Sequence, residues 1–259
     1  RHAILPYHAR VRAVICTTVA KIACVTQFVT GARHPPMSQT LRIARRFNGP
    51  YDSGNGGYSA GLAAQLLPKA DAIEATLRAP IPLDATLRAH ETDTGLDIMT
   101  DDAATRILIM SLKPTWLETP DVSSPGLEAA TIASASYPAA EDHVLPHCYV
   151  CGPARAEGDG LRIFPDWLKE PSGLDNPNAF PIVAAPWRPT PDLADDSCRI
   201  APEYMWAALD CPAGMAWSHR LGRSQSIMTV RMTATVDRPL QPGARYRVLA
   251  WPLQRDGRK

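Results

Sequence analysis

The sequence has almost no net charge and no unbroken apolar run long enough to cross a bilayer. Its 27 basic and 26 acidic side chains leave a net charge of +1, so no overall field draws the chain to nucleic acid or to an anionic membrane surface. The long apolar stretch at 11–29 carries Arg12 and, near its middle, Lys21. A spanning helix needs about 20 apolar residues and rejects a central charge. An export signal would place its charges ahead of an uninterrupted apolar run, and this stretch does not. The sequence offers no second Cys/His pair to accompany Cys148-x-x-Cys151, as a four-ligand zinc site requires. A redox pair would open a helix, whereas Gly152-Pro153 breaks the chain.

What is present fits a globular chain with an ordinary core: 45% hydrophobic and 20% charged residues over 259 positions. A chain of this size needs no disulfide staples, so Cys16, Cys24, Cys148, Cys151, Cys198 and Cys211 read as small buried hydrophobes in a reducing cytoplasm. The 25 prolines lie mostly between apolar runs, which predicts many short elements rather than long helices. Because the first methionine is Met37, residues 1–37 are expected to be a non-native or disordered extension.

Residues 41–47 (LRIARRF) read as a short strand, followed by a glycine-rich loop over 48–57. Residues 58–67 (YSAGLAAQLL) are helix formers stopped by Pro68. Residues 72–79 alternate as a half-buried strand does, 80–84 turn, and 85–92 return as the second arm of a hairpin. Residues 107–112 (ILIMSL) predict a buried strand, and the Pro-, Ser- and Ala-rich 117–146 a linker. In the second half, 182–187 read as a strand. Residues 202–217 read as a helix opened by Pro202 and Glu203 and interrupted or bent at Pro212. A second hairpin is expected from 226–236 and 246–253. Thr76, Pro80 and Ala85 recur as Thr235, Pro239 and Ala244 at one offset of 159 residues. A duplicated unit, a helix followed by a long hairpin, accounts for the match. The architecture is then α+β, each unit a long helix wrapped by antiparallel sheet.

Two features could carry chemistry. Asp52-Ser-Gly-Asn-Gly-Gly57 frees the backbone just ahead of a helix start, whose unpaired N–H groups can hold a phosphate or polarise a thioester carbonyl. It has neither the spacing nor the lysine of a P-loop. Asp210 falls among apolar helix residues, where a carboxylate is costly unless capped or used, as a cap before Pro212 or as a general base or nucleophile.

These residues together resemble the hotdog-fold acyl-CoA thioesterase superfamily. The likeness lies in Cys148-x-x-Cys151-Gly152 running into Gly160-Leu-Arg-Ile-Phe164, in Asn55-Gly56-Gly57 at a helix start, where the family often has His-Gly-Gly, and in Asp210 at the family's acid position on the second helix. The first helix has Ala64-Gln65 and no acid there, and the second lacks the glycines, so each half keeps one part of the family site.

The resemblance implies two hotdog units, 38–116 and 147–259, joined by a linker over 117–146, with the last strands of the second unit expected to be missing beyond Lys259. It implies one composite site from Asn55, Gly56, Gly57 and Asp210, with Gln65 helping to position water, and an acyl-CoA substrate. No metal is implied at the cysteines and no cofactor beyond the coenzyme A of the substrate. It further implies a cytoplasmic protein with no nucleic-acid or membrane partner, able to form a homodimer of double-hotdog chains. The alternatives are a non-catalytic acyl-CoA-binding or structural pseudo-dimer, and an acyl-CoA dehydratase of the same fold. Dehydratase chemistry usually pairs a histidine with the acid, and none lies near either helix start.

Overall fold

The two expected hairpins do not form, because each pair of arms belongs to different neighbours. The computed structural model of the chain describes residues 9–17, 39–102, 104–118, 125–168, 182–218 and 227–255. In the first half, strand β2 (Thr40–Arg42) leads through a 3-10 turn at Arg45–Phe47 to helix α1 (Gly56–Ala64). Strands β3 (Ala72–Leu77), β4 (Thr86–Thr92), β5 (Gly95–Thr100) and β6 (Leu108–Thr115) follow. β3 pairs with β6, and β4 pairs with β2 and β5, so the chain crosses over between β3 and β4. Strands consecutive in the chain pair instead at β4–β5, turned at Asp93-Thr94, and at β5–β6. β5 buries Leu96 and Ile98 on one face, in a period-two pattern with the half-buried Gly95 and Asp97.

The second half repeats this connectivity. Strand β8 (Val183–Trp187) precedes helix α3 (Pro202–Ser218), and β9 (Arg231–Ala234) and β10 (Tyr246–Arg255) follow. β10 pairs antiparallel with β8, as β4 does with β2. Gly56 and Pro202 open the two helices at one offset of 146 residues, the same offset that relates Leu41 to Trp187 in the strands ahead of them.

β3 and β9 pair with each other and join the halves. Their register carries the sequence repeat: Glu74 lies opposite Thr233, its own counterpart at the 159-residue offset. Ile73 meets Ala234, the counterpart of Ala75, and Ala75 meets Met232, the counterpart of Ile73. The ladder is therefore centred on a local two-fold, the isologous arrangement expected where two like units meet.

Two antiparallel sheets result, one in the order β2-β4-β5-β6-β3-β9 and the other β1-β10-β8-β7, where β7 is Asp166–Trp167. Strand β1 (Ala9–Thr17) lies in the segment expected to be a non-native or disordered extension. It instead pairs along β10 from Ala9↔Arg255 to Thr17↔Tyr246. Its backbone groups pair along the flank of β10, which would otherwise leave a row of unpaired N–H and C=O groups. The remainder of 1–37 lies outside the described residues. The expected linker likewise contains helix α2 (Leu127–Ser134), whose Ala130 packs with Ile182, Ala184, Leu249 and Trp251.

Pro212 does not end α3, which runs on to Ser218. A proline inside a helix removes one backbone bond at about 3 kcal/mol. Packing offsets that cost here, since Pro212 itself and the following Ala216 and Trp217 are buried.

α1 and α3 run past each other in opposite directions and make the core of the molecule. Gly57 and Gly61, one turn apart, face α3 so closely that a Cβ on either would clash. At Gly57 it would sit 2.6 Å from the Trp206 carbonyl oxygen and the Asp210 Cβ, and at Gly61 2.7 Å from the Trp206 Cβ. Small residues let the two backbones approach, and α1 is buried nearly all round.

Candidate functional site

The loop before α1 is closed by its own backbone. Gly49 N–H donates to Ser53 O at 2.9 Å and Asn55 N–H to Phe47 O at 2.8 Å, while Ser53 Oγ accepts from Ile81 N–H at 2.9 Å. This fixes Asn55 as the N-cap of α1: its Oδ1 accepts from Tyr58 N–H at 2.9 Å and its side chain is 2% exposed. Gly56 and Gly57 are then the first helical residues, and their N–H groups have no partner within the helix.

α3 brings Asp210 to that helix start. Asp210 Oδ2 accepts from Gly57 N–H at 2.9 Å, and Thr229, just ahead of β9, donates its hydroxyl to Oδ1. The Asn55 amide also faces Asp210. Burial raises the Asp210 pKa above the usual carboxylate range, and the Thr229 and Gly57 hydrogen bonds oppose that rise. The fold thus gathers Asn55, Gly56 and Gly57 from one half and Asp210 from the other.

Gln65 is not part of this group. It lies at the opposite end of the helix pair, where Nε2 donates to Glu203 Oε2 at 2.8 Å on the first turn of α3. The antiparallel crossing puts the end of α1 beside the start of α3, two turns from Asp210.

Two residues at the site, Thr229 and Cys211, carried no decisive signal in the sequence. Thr229 belongs to a stretch expected only as a strand. Cys211 follows Asp210 in α3, and its sulfur meets Cys148 Sγ at 3.6 Å; with Cys151 the three sulfurs lie within 4.8 Å of one another. The Cys148–Cys151 segment reaches this place by docking on the loop before α1, with Tyr149 N–H donating to Asn48 O at 2.8 Å. Asn55 Nδ2 points at Cys211 Sγ at 3.9 Å, linking the thiols to the carboxylate. These cysteines are thiols, and Cys148 and Cys151 are fully buried. The neighbouring thiols of Cys151 and Cys211 hold the Cys148 pKa well below the usual thiol range, while the same coupling pushes Cys151 and Cys211 up.

Behind the thiols lies a short polar chain. Leu145 N–H donates to His143 Nδ1 at 3.1 Å, which leaves the ring proton on Nε2. That nitrogen donates to the Tyr137 hydroxyl at 2.7 Å, and the hydroxyl donates to Cys151 O at 3.0 Å.

A cleft of about 350 Å³ opens beside the same loop, lined by Arg45, Arg46, Asn48 and Arg155 among others. Its guanidinium groups are paired with Asp84 and Asp159. Asp210 and the thiols are not in its wall, and the carboxylate is buried.

No protein-family model and no curated protein matches the chain. Among solved structures, one described as a "putative thioesterase" from Novosphingobium aromaticivorans aligns with 84% of this chain and 95% of its own, at 12% identity and a TM-score of 0.44. No described helix is long and apolar enough to cross a membrane.

Proposed function

We propose that the chain is a double-hotdog protein that hydrolyses an acyl-CoA thioester at the junction of its two helices. The observation that carries this reading is the meeting of Asp210 with the N–H of Gly57, which joins the two half-motifs at one point. The repeated strand–helix–strand–strand order and the β3–β9 ladder support the two-unit fold. The sequence resemblance supports the substrate class.

In the proposed reaction the thioester carbonyl oxygen takes the place of Asp210 Oδ2 at the N–H groups of Gly56 and Gly57, where a helix start favours developing negative charge. Asp210, still held through Oδ1 by Thr229, accepts a proton from water as the water oxygen bonds to the carbonyl carbon. Collapse of the tetrahedral species breaks the C–S bond. The proton passes to the departing sulfur, giving a carboxylic acid and coenzyme A thiol. The cationic side chains of the cleft beside the loop suit the phosphates of coenzyme A.

One observation favours a second reading. Asp210 is buried and both its oxygens are satisfied, as a carboxylate that only ties two helices together would be. The test is a panel of acyl-CoAs of graded chain length with a thiol-detecting dye, run beside thermal-shift binding. Thiol release supports the hydrolase. Stabilisation by acyl-CoA without release supports the non-catalytic pseudo-dimer.

A further inference from the structure

Sequence spacing gives Cys148-x-x-Cys151 no partner pair for a metal, but the fold supplies a third thiol from a different element. Cys211, 60 residues beyond Cys151 on α3, brings its sulfur to 3.6 Å from Cys148 Sγ, and all three sulfurs fall within 4.8 Å of one another. Zinc–sulfur bonds of about 2.3 Å set the sulfurs of a tetrahedral site about 3.8 Å apart. The three thiols stand close to that spacing before any ion is placed.

Ordinary packing accounts poorly for this cluster. Buried cysteines acting as small hydrophobes need no polar neighbours, yet a buried amide is aimed at this cluster. Asn55 Nδ2 points at Cys211 Sγ at 3.9 Å, and Cys211 Sγ in turn meets Cys148 Sγ at 3.6 Å. A donor of this kind suits metal-bound thiolates, whose ligand atoms are themselves hydrogen-bonded. A disulfide is the weaker account, since it joins only two sulfurs at about 2.05 Å and strands the third in the core.

We propose that Cys148, Cys151 and Cys211 form a zinc site that ties the Cys148–Cys151 segment to α3. His143 stands outside the ligand set, because one ring nitrogen accepts from Leu145 N–H and the other bonds the Tyr137 hydroxyl. No fourth His, Cys, Asp or Glu joins the three sulfurs among the described residues, so the fourth position belongs to water or a small added ligand. On binding, each thiol loses its proton to solvent and each sulfur forms one bond to the ion. The site does not depend on thioester hydrolysis and goes beyond it.

The test uses the full chain, reduced, stripped with a chelator and titrated anaerobically with cobalt(II) as a spectroscopic stand-in for zinc. The expected result is a thiolate-to-cobalt charge-transfer band in the near ultraviolet with visible bands of four-coordinate cobalt, saturating at one ion per chain and erased by zinc. Cys211→Ser and Cys148→Ser should abolish the band. Cys198→Ser, which alters an exposed thiol outside the cluster, should leave it intact. A wild-type chain that is folded by circular dichroism yet shows no charge-transfer band overturns the proposal without recourse to any variant. So does a band that survives Cys211→Ser, or a Cys148–Cys211 disulfide in the isolated chain with no zinc uptake after reduction.

Discussion

Asp210 Oδ2 accepts a hydrogen bond from the backbone N–H of Gly57 at 2.9 Å, across the line where the helix of one half touches the helix of the other. The contact depends on two unrelated economies of sequence. A glycine at 57 lets the backbones approach, since a Cβ there would fall 2.6 Å from Asp210 Cβ. An acid at 210 then meets the glycine-opened helix start that its own helix lacks. Neither half could make this pair alone.

The helix crossing predicts opposite signs for two glycine substitutions. Gly61→Ala forces a Cβ to 2.7 Å from Trp206 Cβ and 2.8 Å from Glu203 Cα, and overpacking of that kind costs about 1–3 kcal/mol. Gly214 lies within α3 with nothing within 4 Å of an added Cβ. There Gly214→Ala should stabilise by about 0.5–1 kcal/mol, through reduced backbone entropy in the unfolded chain. Urea unfolding of the two variants beside the parent checks both signs.

Asn55 should not tolerate the exchange that most helix caps accept. Asn55→Ala loses the bond to Tyr58 N–H, worth about 1 kcal/mol at an N-cap. Aspartate usually caps as well as asparagine, but at position 55 it would place a second buried carboxylate facing Asp210. Asn55→Asp is therefore expected to be less stable than Asn55→Ala at neutral pH, measured by thermal denaturation. Equal or better stability would show that the two side chains do not feel each other.

His143 should make the fold sensitive to mild acid. Burial lowers its pKa in the folded state, so the unfolded chain takes up a proton that the native chain resists. The stability contributed by neutral His143 is then fully present above the unfolded value of about 6.5 and is lost as pH falls below it. Melting temperature should drop more steeply on acidification through that range in the parent than in His143→Gln. Parallel slopes would contradict the assignment of neutral His143 to the polar chain behind the thiols.

Much of the fold was legible in the residues, and the failures have a common cause. Alternation marked β3, the turns after it and after β9 marked β4 and β10 as strands, and the 159-residue offset reappears as the symmetric register of β3 with β9. Pairing was misread because strands adjacent in sequence were taken as adjacent in space. The partners of β3 are β6 and β9, and a period-two pattern says which face is buried but not which neighbour is bonded. The helix start at Asn55-Gly56-Gly57 and the acid at Asp210 were each visible from local pattern. Gln65 entered the expected site through the resemblance, beside the acid position of the first helix, and the antiparallel helix crossing carries it to Glu203 instead. Thr229 and the approach of Cys211 to the Cys-x-x-Cys pair depend on tertiary contacts between distant segments, which no local spacing encodes.

The composite site stands or falls on Asp210. Asp210→Asn keeps the size of the side chain and an oxygen for Gly57 N–H but removes the base, so the helices should still pack. Steady-state thiol release from the best acyl-CoA of the panel, measured beside equilibrium binding of coenzyme A to the same preparations, separates the two roles. The account predicts a fall in kcat of about 100-fold or more, the usual span of general-base catalysis, with the Kd for coenzyme A unchanged. Turnover by Asp210→Asn equal to that of the parent would contradict it.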